Sequence, residues 1–429
     1  MPEPLELLPP QYATAAASPL ADERPAPRGR QPRVAWWHPA LTDYRLPLFE
    51  QMAARCELHL VFMQPGVTPS ATLAATDLHV SRRARRAVAL RPDHLVVADL
   101  LALARRIRAA DVFITSFSLN LYTVFGLAFA RMLGIPTVIW EEMQRMPSRG
   151  LWAAPRRSLL RWVARRAGAY FVMGEPQREL LRRLGVPAQR IFESAEAPAE
   201  RYAHVPAEPM ALPFAAGRRC VLYLGRLIPI KGVDVLLHAF AQLKRHAGDA
   251  ALAIAGSGPQ APALQELARS LGLRVATPCN GAGGDGDADV AFLGHVAARG
   301  HKAWLLQRAH VLAVPSVYLG DWGEGGPLVI PEALSAGTPV VCTDACGNTV
   351  NHVRRTGCGA VVAQGDAGAL AEALDGALRR PPVRAVVCRA ARGLPDHAHQ
   401  ADTLTAAIRH AMAASTPAAA AGRHDITAA

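Results

Sequence analysis

Residues 322–346 read WGEGGPLVIPEALSAGTPVVCTDAC. Glu324 and Glu332 stand with seven residues between them, and Gly325 and Gly326 free the backbone after the first. Pro327, followed by Leu328, falls where a helix takes its first turn, and Gly337 closes that helix before the apolar run 339–342. The order is loop, helix, turn, buried strand. Amides at such a helix start favour an anion. Glu332, further along the helix, is placed to accept hydrogen bonds from hydroxyl groups lying across it. A phosphate group joined to hydroxylated rings meets both conditions.

Moving toward the amino end, VLYLGRLIPIKGVDVLLHAFAQL (221–243) puts Gly225, Arg226 and Lys231 in the turn between a strand starting at Cys220 and a helix over 233–243. Two cations thus meet at the carboxyl end of a parallel strand, where a diphosphate is expected. Arg offers a planar fork and Lys a mobile point charge, and both can neutralise a leaving group that gains negative charge. The next strand, 252–255, ends in Gly256-Ser257-Gly258-Pro259, a turn that lets a ligand reach backbone amides or merely permits a tight bend. Residues 276–289, ATPCNGAGGDGDAD, read as a surface loop. Asp285-Gly286-Asp287 within it lacks a preceding strand to position a metal cage. The strand 290–293 ends in Gly294-His295-Val296, with His295 read as a loop residue beside a cleft rather than a base, and 311–315 is a further strand.

The first half alternates in the same way: strands at 33–37 and 58–62, helices at 47–55 and 97–109, and a basic link through 82–86. The stretch 112–130 carries no charge and approaches the length of a membrane span, but Ser116, Ser118 and Asn120 interrupt it. A strand at 112–115, a helix ending near Gly134 and a strand at 136–140 account for it better. The helix over 152–166 sets Arg156, Arg157, Arg161, Arg165 and Arg166 beside Trp152, Leu159, Leu160, Trp162 and Val163. It is either a packed helix with a solvated basic side or one that rests on anionic lipid. The strand 169–173 follows. Near 198–213 the composition shifts to Pro, Ala and Glu without apolar period, the mark of a linker.

A chain of 429 residues that is 51% apolar can build two α/β cores. Its net charge of +12 points to an anionic partner. Residues 1–200 hold 26 Lys/Arg against 18 Asp/Glu, so +8 of that charge lies in the first half. No strand combines aromatic and basic residues as nucleic-acid binders do, so no specific nucleic-acid partner is expected. The seven cysteines are scattered without a CxxC pair, as in a protein with reduced thiols, and Cys342 and Cys346 have no ligand-spaced companions for a metal. Residues 1–32 lack the basic start and apolar core of a secretory signal. A cytoplasmic location follows as the expectation, with the inner face of the membrane as the alternative place of work. The domain plan is a disordered tail (1–32), a first Rossmann-like domain (33–200), a linker (201–219), a second Rossmann-like domain (220–395), a closing helix (396–412) packed near the first domain, and an Ala-rich tail (413–429).

Taken together, LGRLIPIKGVDVLLHAF, AIAGSGP, VAFLGHV, VLAVPSV and EGGPLVIPEALSAGTPVVCTD resemble, in order and spacing, the retaining nucleotide-sugar glycosyltransferases of glycosyltransferase family 4. The first half resembles that family through YRLPLFEQM and GIPTVIWEE. The resemblance implies the GT-B fold, two α/β Rossmann-like domains whose parallel sheets face a central cleft. It implies a nucleotide-diphosphate sugar as donor and a glycan or lipid-linked acceptor, with no cofactor and no metal. Arg226 and Lys231 would bind the diphosphate. Glu332 would bind the ribose, and Glu324 with the amides after it the donor sugar. Gly225, Gly256, Gly258, His295, Val296, Gly325, Gly326, Pro327 and Leu328 would line the donor site.

Two departures stand out. Gly347-Asn348-Thr349-Val350-Asn351 occupies the place of the family's Gly-Gly loop and following Glu, and 111–143 contains no His of the kind that touches the donor sugar in many members. His38, just after the first strand, is the nearest candidate for a sugar or acceptor contact, or else a satisfied loop histidine. A sugar-nucleotide epimerase would need acids and bases on both sugar faces, which the first half does not offer. A non-catalytic sugar-nucleotide-binding scaffold would fit the two asparagines, whereas the intact Arg226, Lys231, Glu324 and Glu332 favour an enzyme.

Overall fold

The short apolar runs of both halves become parallel strands, each followed by chain that crosses back over the sheet. The computed structural model describes residues 30–42, 44–65, 76–80, 94–116, 120–141, 153–198, 200–215, 217–277, 288–320 and 322–415. Residues 1–29 and 416–429 of the expected tails (1–32 and 413–429), the basic link 82–86, Trp152 and Asp285-Gly286-Asp287 lie outside these residues, and 413–415 continue the last helix.

In the first half β1 (Arg33–Leu41), β2 (Glu57–Pro65), β3 (Asp77–Val80), β4 (Val112–Ser116), β5 (Thr137–Glu141), β6 (Ala169–Val172) and β7 (Ile191–Glu193) form one sheet in the order β3-β2-β1-β4-β5-β6-β7, with every neighbour parallel. The helices between them are α1 (Leu46–Ala53), α2 (His94–Ala109), α3 (Leu121–Met132), α4 (Ala153–Ala164) and α5 (Glu175–Arg183). The uncharged stretch 112–130 is therefore a strand and a short helix. Asn120 explains the break, because its Oδ1 accepts a hydrogen bond from the Thr123 amide at 2.9 Å and caps α3. Among the described residues no helix is long and apolar enough to cross a membrane.

The second half repeats the plan. Its strands are β8 (Arg219–Leu224), β9 (Ala250–Ala255), β10 (Val275–Ala276), β11 (Val290–Gly294), β12 (Val311–Val314), β13 (Val340–Thr343) and β14 (Gly359–Val362), in the order β10-β11-β9-β8-β12-β13-β14, again all parallel. The helices are α6 (Val233–Lys244), α7 (Ala261–Ser270), α8 (Arg299–Arg308), α9 (Val329–Ser335), α10 (Val350–Thr356), α11 (Ala367–Arg379), α12 (Arg384–Arg392) and α13 (His397–Ser415). In each sheet the strand order reverses beside the first strand of its half, between β1 and β4 and between β8 and β12. Such reversals open a crevice at the carboxyl ends of the strands.

Three stretches carry more structure than their composition indicates. The stretch read as a linker is packed for much of its length: Tyr202 and Val205 are buried in the core of the second sheet, and Met210, Leu212 and Phe214 lie against it. Their irregular spacing hid this, since an extended segment anchors through isolated side chains rather than a periodic face. The loop 276–289 ends on a structural residue, Asp289, which is buried and paired with Arg218, Lys244 and Arg274. These three cations hold its carboxyl well below the usual range although burial alone would raise it. The closing helix runs His397–Ser415, three residues past its expected end, and Gln400 in its first turn donates to the Ala195 carbonyl at 2.8 Å. Ala401, Leu404, Ala407, Ile408 and Ala411 on α13 are fully buried in the core that includes Trp36, Phe49, Phe62 and Trp140 of the first sheet and its helix.

Candidate functional site

The turn after β8 is built to hold its two cations. A glycine is required at Gly256 because a Cβ there would run into the Gly225 carbonyl oxygen, and at Gly258 because one would run into Leu227. Close approach lets the turns bond: Gly225 N to Ala255 O at 3.0 Å, Leu227 N to Ser257 O at 2.9 Å and Gln260 N to Leu227 O at 3.2 Å. Tyr223 adds a hydroxyl donated to the Arg226 carbonyl at 2.7 Å. Gly256 and Gly258 thus support the turn that carries Arg226, whose side chain is exposed.

Lys231 leaves the same turn and forms an ion pair with Glu324 across the crevice between β8 and β12. Both side chains are 14% exposed. The other carboxylate oxygen of Glu324 accepts from the Ser316 hydroxyl just beyond β12, and Thr343 donates to the Ser316 carbonyl at 2.5 Å. Burial lowers the Lys231 ammonium to about 8, and Arg226 pushes the same way. The Glu324 carboxylate works against that loss of charge. Ser316 was not singled out from the sequence, because one Ser after an apolar strand is an ordinary loop residue.

Glu332 sits in a different surrounding. It lies on α9, almost fully buried, and its Oε2 is 2.8 Å from the Nζ of Lys302 on α8. The ammonium also lies 4.9 Å from the centre of the Tyr202 ring. Burial pushes the Glu332 carboxyl up and Lys302 opposes that; on Lys302 itself, burial is outweighed by Glu332, so its pKa is raised. Lys302 therefore offsets in part the burial that raises the Glu332 carboxyl, in a nearly dry place. Sequence reading missed it, since a lysine on a polar helix is usually solvated.

The loop after Glu324 is set by the departing motif. Asn348 donates its amide to the Gly325 carbonyl at 3.2 Å, and its side chain fills the space beside Gly326, where a Cβ would collide with Asn348 Oδ1. Asn348 also meets the first half, because a Cβ on Gly174 would come 2.7 Å from the Asn348 Cβ. One turn later His352, fully buried, bonds through Nε2 to the Glu196 carbonyl at 2.7 Å. Asparagine at 348 is therefore part of the junction between the halves. Pro327 is buried, Leu328 stands at the N-cap of α9, His295 is exposed on the loop after β11, and Val296 packs on the second core.

His38 is not with these groups. It lies near the end of β1, half-buried among Phe49 at 5.7 Å, Trp140 at 6.0 Å and Phe62 at 6.2 Å between ring centroids. Arg45 lies 4.4 Å above the same Trp140 ring. This is the carboxyl end of the first sheet, the side on which an open α/β sheet binds its ligands. Among the described residues no group of three or more His, Cys, Asp or Glu is arranged to hold a metal ion, and Cys56, Cys220, Cys342, Cys346, Cys358 and Cys388 are free.

Residues 206–393 match the family of glycosyl transferases group 1. The chain is 26% identical over 280 residues to alpha-D-kanosaminyltransferase of Streptomyces kanamyceticus, covering 62% of this chain and 67% of that one. It is 34% identical over 210 residues to D-inositol 3-phosphate glycosyltransferase of Mycolicibacterium paratuberculosis, covering 47% of this chain and 42% of that one. Among solved structures, Anabaena HepE in complex with UDP superposes with a TM-score of 0.65 at 15% identity, covering 88% of this chain and 99% of that one. The apo form of the lipopolysaccharide outer core galactosyltransferase WaaB gives 0.60 at 16% identity, covering 88% and 99%. The two parallel seven-stranded sheets are thus those of the GT-B fold.

Proposed function

Because residues 206–393 match the glycosyl transferases of group 1, we propose that the chain moves a sugar from a nucleotide-diphosphate sugar to a hydroxyl acceptor with retention of anomeric configuration. The observation that carries this reading is the meeting of Lys231 and Glu324 where the strand order of the second sheet reverses. Each partner is the right group for half of a donor. On binding, the diphosphate takes Lys231 together with Arg226, and the sugar hydroxyls take the Glu324 carboxylate, so the ion pair is exchanged for donor contacts rather than simply lost. Glu332, paired with Lys302, accepts from the ribose hydroxyls. The loop Gly325 to Leu328 lies beside the sugar.

As the glycosidic bond breaks, negative charge grows on the diphosphate, and the two cations stabilise it more than they stabilise the bound donor. The acceptor oxygen attacks from the leaving-group face, and its proton passes to the departing diphosphate. Glu324 acts by holding the sugar and forms no bond to it. Two side-chain cations supply the charge that this step needs, so the proposal includes no metal. A glycan or lipid-linked acceptor, and a role in cell-surface polysaccharide or glycoconjugate synthesis on the cytoplasmic side, complete the reading. The inositol 3-phosphate and phosphatidylinositol monomannoside names of two relatives point to hydroxyl acceptors of this kind.

The test is thermal stabilisation by UDP, GDP, ADP and dTDP sugars without added metal, repeated with Lys231→Ala and Glu332→Ala. Stabilisation by one nucleotide class that both substitutions abolish supports the donor site, and release of nucleoside diphosphate with an α-linked product from an α-donor establishes transfer with retention. Stabilisation without turnover on a broad acceptor panel would instead favour a sugar-nucleotide-binding scaffold.

A further inference from the structure

A cavity of about 380 Å³ lies in the first half between α3 and α4. Its walls are Val124 and Leu127 from α3, Leu159 and Val163 from α4, and Ile139 from β5 beneath them. That volume falls in the range of small-molecule pockets, roughly 300–1,000 Å³. Its mouth carries two cations, Arg131 at the end of α3 and Arg166 just after α4, and among the described residues no acidic one lines it. Arg166 lies over the Trp162 ring at 4.2 Å. Gly134 to Thr137 lead into β5 and Gly168 leads into β6, so the cavity opens at the amino ends of these strands. The carboxyl ends face the other way, toward Gly174 and the junction with Asn348.

The surface around the mouth is also apolar and cationic. Val124, Met132, Leu133, Leu159 and Trp162 on or beside these two helices are all more than 40% exposed. Neither α3 nor α4 contains an acidic residue, and Arg161 and Arg165 add to the charge on α4. Large exposed apolar groups on one face mark a contact surface. An apolar recess, a ring of exposed hydrophobics and unopposed arginines at the rim match one chemistry, an acyl chain attached to an anionic head group.

We propose that this face docks on an anionic phospholipid bilayer, with one acyl chain entering the cavity between α3 and α4 and the lipid phosphate resting on Arg131 and Arg166. The lipid here is an anchor and not the acceptor, because the recess opens at the strand ends opposite the catalytic crevice. The inference does not depend on the donor-site reading, and nucleotide-sugar stabilisation should be unchanged in every variant below.

Flotation of the full chain with vesicles tests it, comparing pure phosphatidylcholine with phosphatidylcholine containing about one third phosphatidylglycerol. Ala128→Trp fills the recess from the exposed surface of α3 without altering charge. Arg131→Glu with Arg166→Glu reverses the rim and leaves the recess open. Retention on the anionic vesicles alone, reduced about tenfold by the charge reversals and severalfold by Ala128→Trp, is the expected result. Absence of retention on anionic vesicles, equal retention on phosphatidylcholine, or retention that Ala128→Trp leaves unchanged overturns the proposal. Unaltered melting temperatures of the variants would show that lost binding is not lost folding.

Discussion

Lys302 Nζ lies 2.8 Å from Glu332 Oε2, joining a helix of the second half to the buried carboxylate of its most informative motif. Replacing Lys302 with Met leaves that carboxylate without its cation in a site it cannot easily leave. Breaking such a buried pair costs about 3–5 kcal/mol. Denaturant unfolding of Lys302→Met should show a loss of this size, and calorimetry should show weaker nucleoside diphosphate binding in whatever fraction stays folded. Lys302→Arg should restore much of both. A fully stable Lys302→Met protein with unchanged nucleotide affinity would remove Lys302 from the account.

The Lys231 ammonium gives the proposed donor site a pH dependence with a definite sign. Its pKa is lowered to about 8 by burial, so the free site loses positive charge as pH rises through that value. Affinity for a nucleoside diphosphate should fall between pH 7 and pH 9.5, and Lys231→Arg should flatten the fall, because arginine keeps its charge. A charge-assisted hydrogen bond is worth about 1.5–3 kcal/mol, so Lys231→Ala should weaken binding by about tenfold to a hundredfold at neutral pH. Isothermal titration across this range checks both.

His352 ties stability to pH in the opposite direction. Burial depresses it from 6.5 to about 4, and its bond to the Glu196 carbonyl opposes the shift only in part. The folded state therefore refuses a proton that the unfolded chain accepts. Stability is fully present above about pH 6.5 and is lost as pH falls toward 4, by at most on the order of 3 kcal/mol. His352→Gln should lower stability at neutral pH and remove that part of the acid slope, read from denaturant midpoints between pH 4 and pH 7.

Trp322 stands two residues before Glu324, 64% exposed, on a short bridge in which its amide and carbonyl pair with those of Leu319. An exposed indole held beside the proposed donor-sugar site is suited to stack on a second sugar ring. Trp322→Ala should raise KM for the acceptor about tenfold, which corresponds to roughly 1.4 kcal/mol, and leave donor stabilisation unchanged. Equal loss of donor binding would place Trp322 on the donor instead.

Much of the second half could be read before it was seen, because its strands are uninterrupted apolar runs such as 250–255 and its turns are marked by glycines with one steric explanation. The shorter strands β3 and β7 and the helix α5 were not read. DLHV and IFE are too brief to show a period, and EPQRELLRR buries only Gln177, Leu180 and Leu181 beneath its charges. At the candidate site, residue types with few alternative uses were legible: paired glutamates at fixed spacing, and an Arg and a Lys after a strand. Lys302, Ser316 and His352 were not, since their significance comes from partners 30, 8 and 156 residues away in Glu332, Glu324 and Glu196. Asn348 looked like a defect in a motif and is instead a contact between halves.

The return of α13 to the first sheet has a consequence for how the protein is made. Leu404, Ile408 and Ala411 complete a hydrophobic layer whose other members, among them Val34, Trp36 and Phe62, leave the ribosome hundreds of residues earlier. Domains generally fold in the order in which they are synthesised. Here the amino-terminal sheet must wait, with one face open, while the whole second half emerges and folds, and only the last helix closes it. Chains that stop before His397 would present that face to chaperones and to one another.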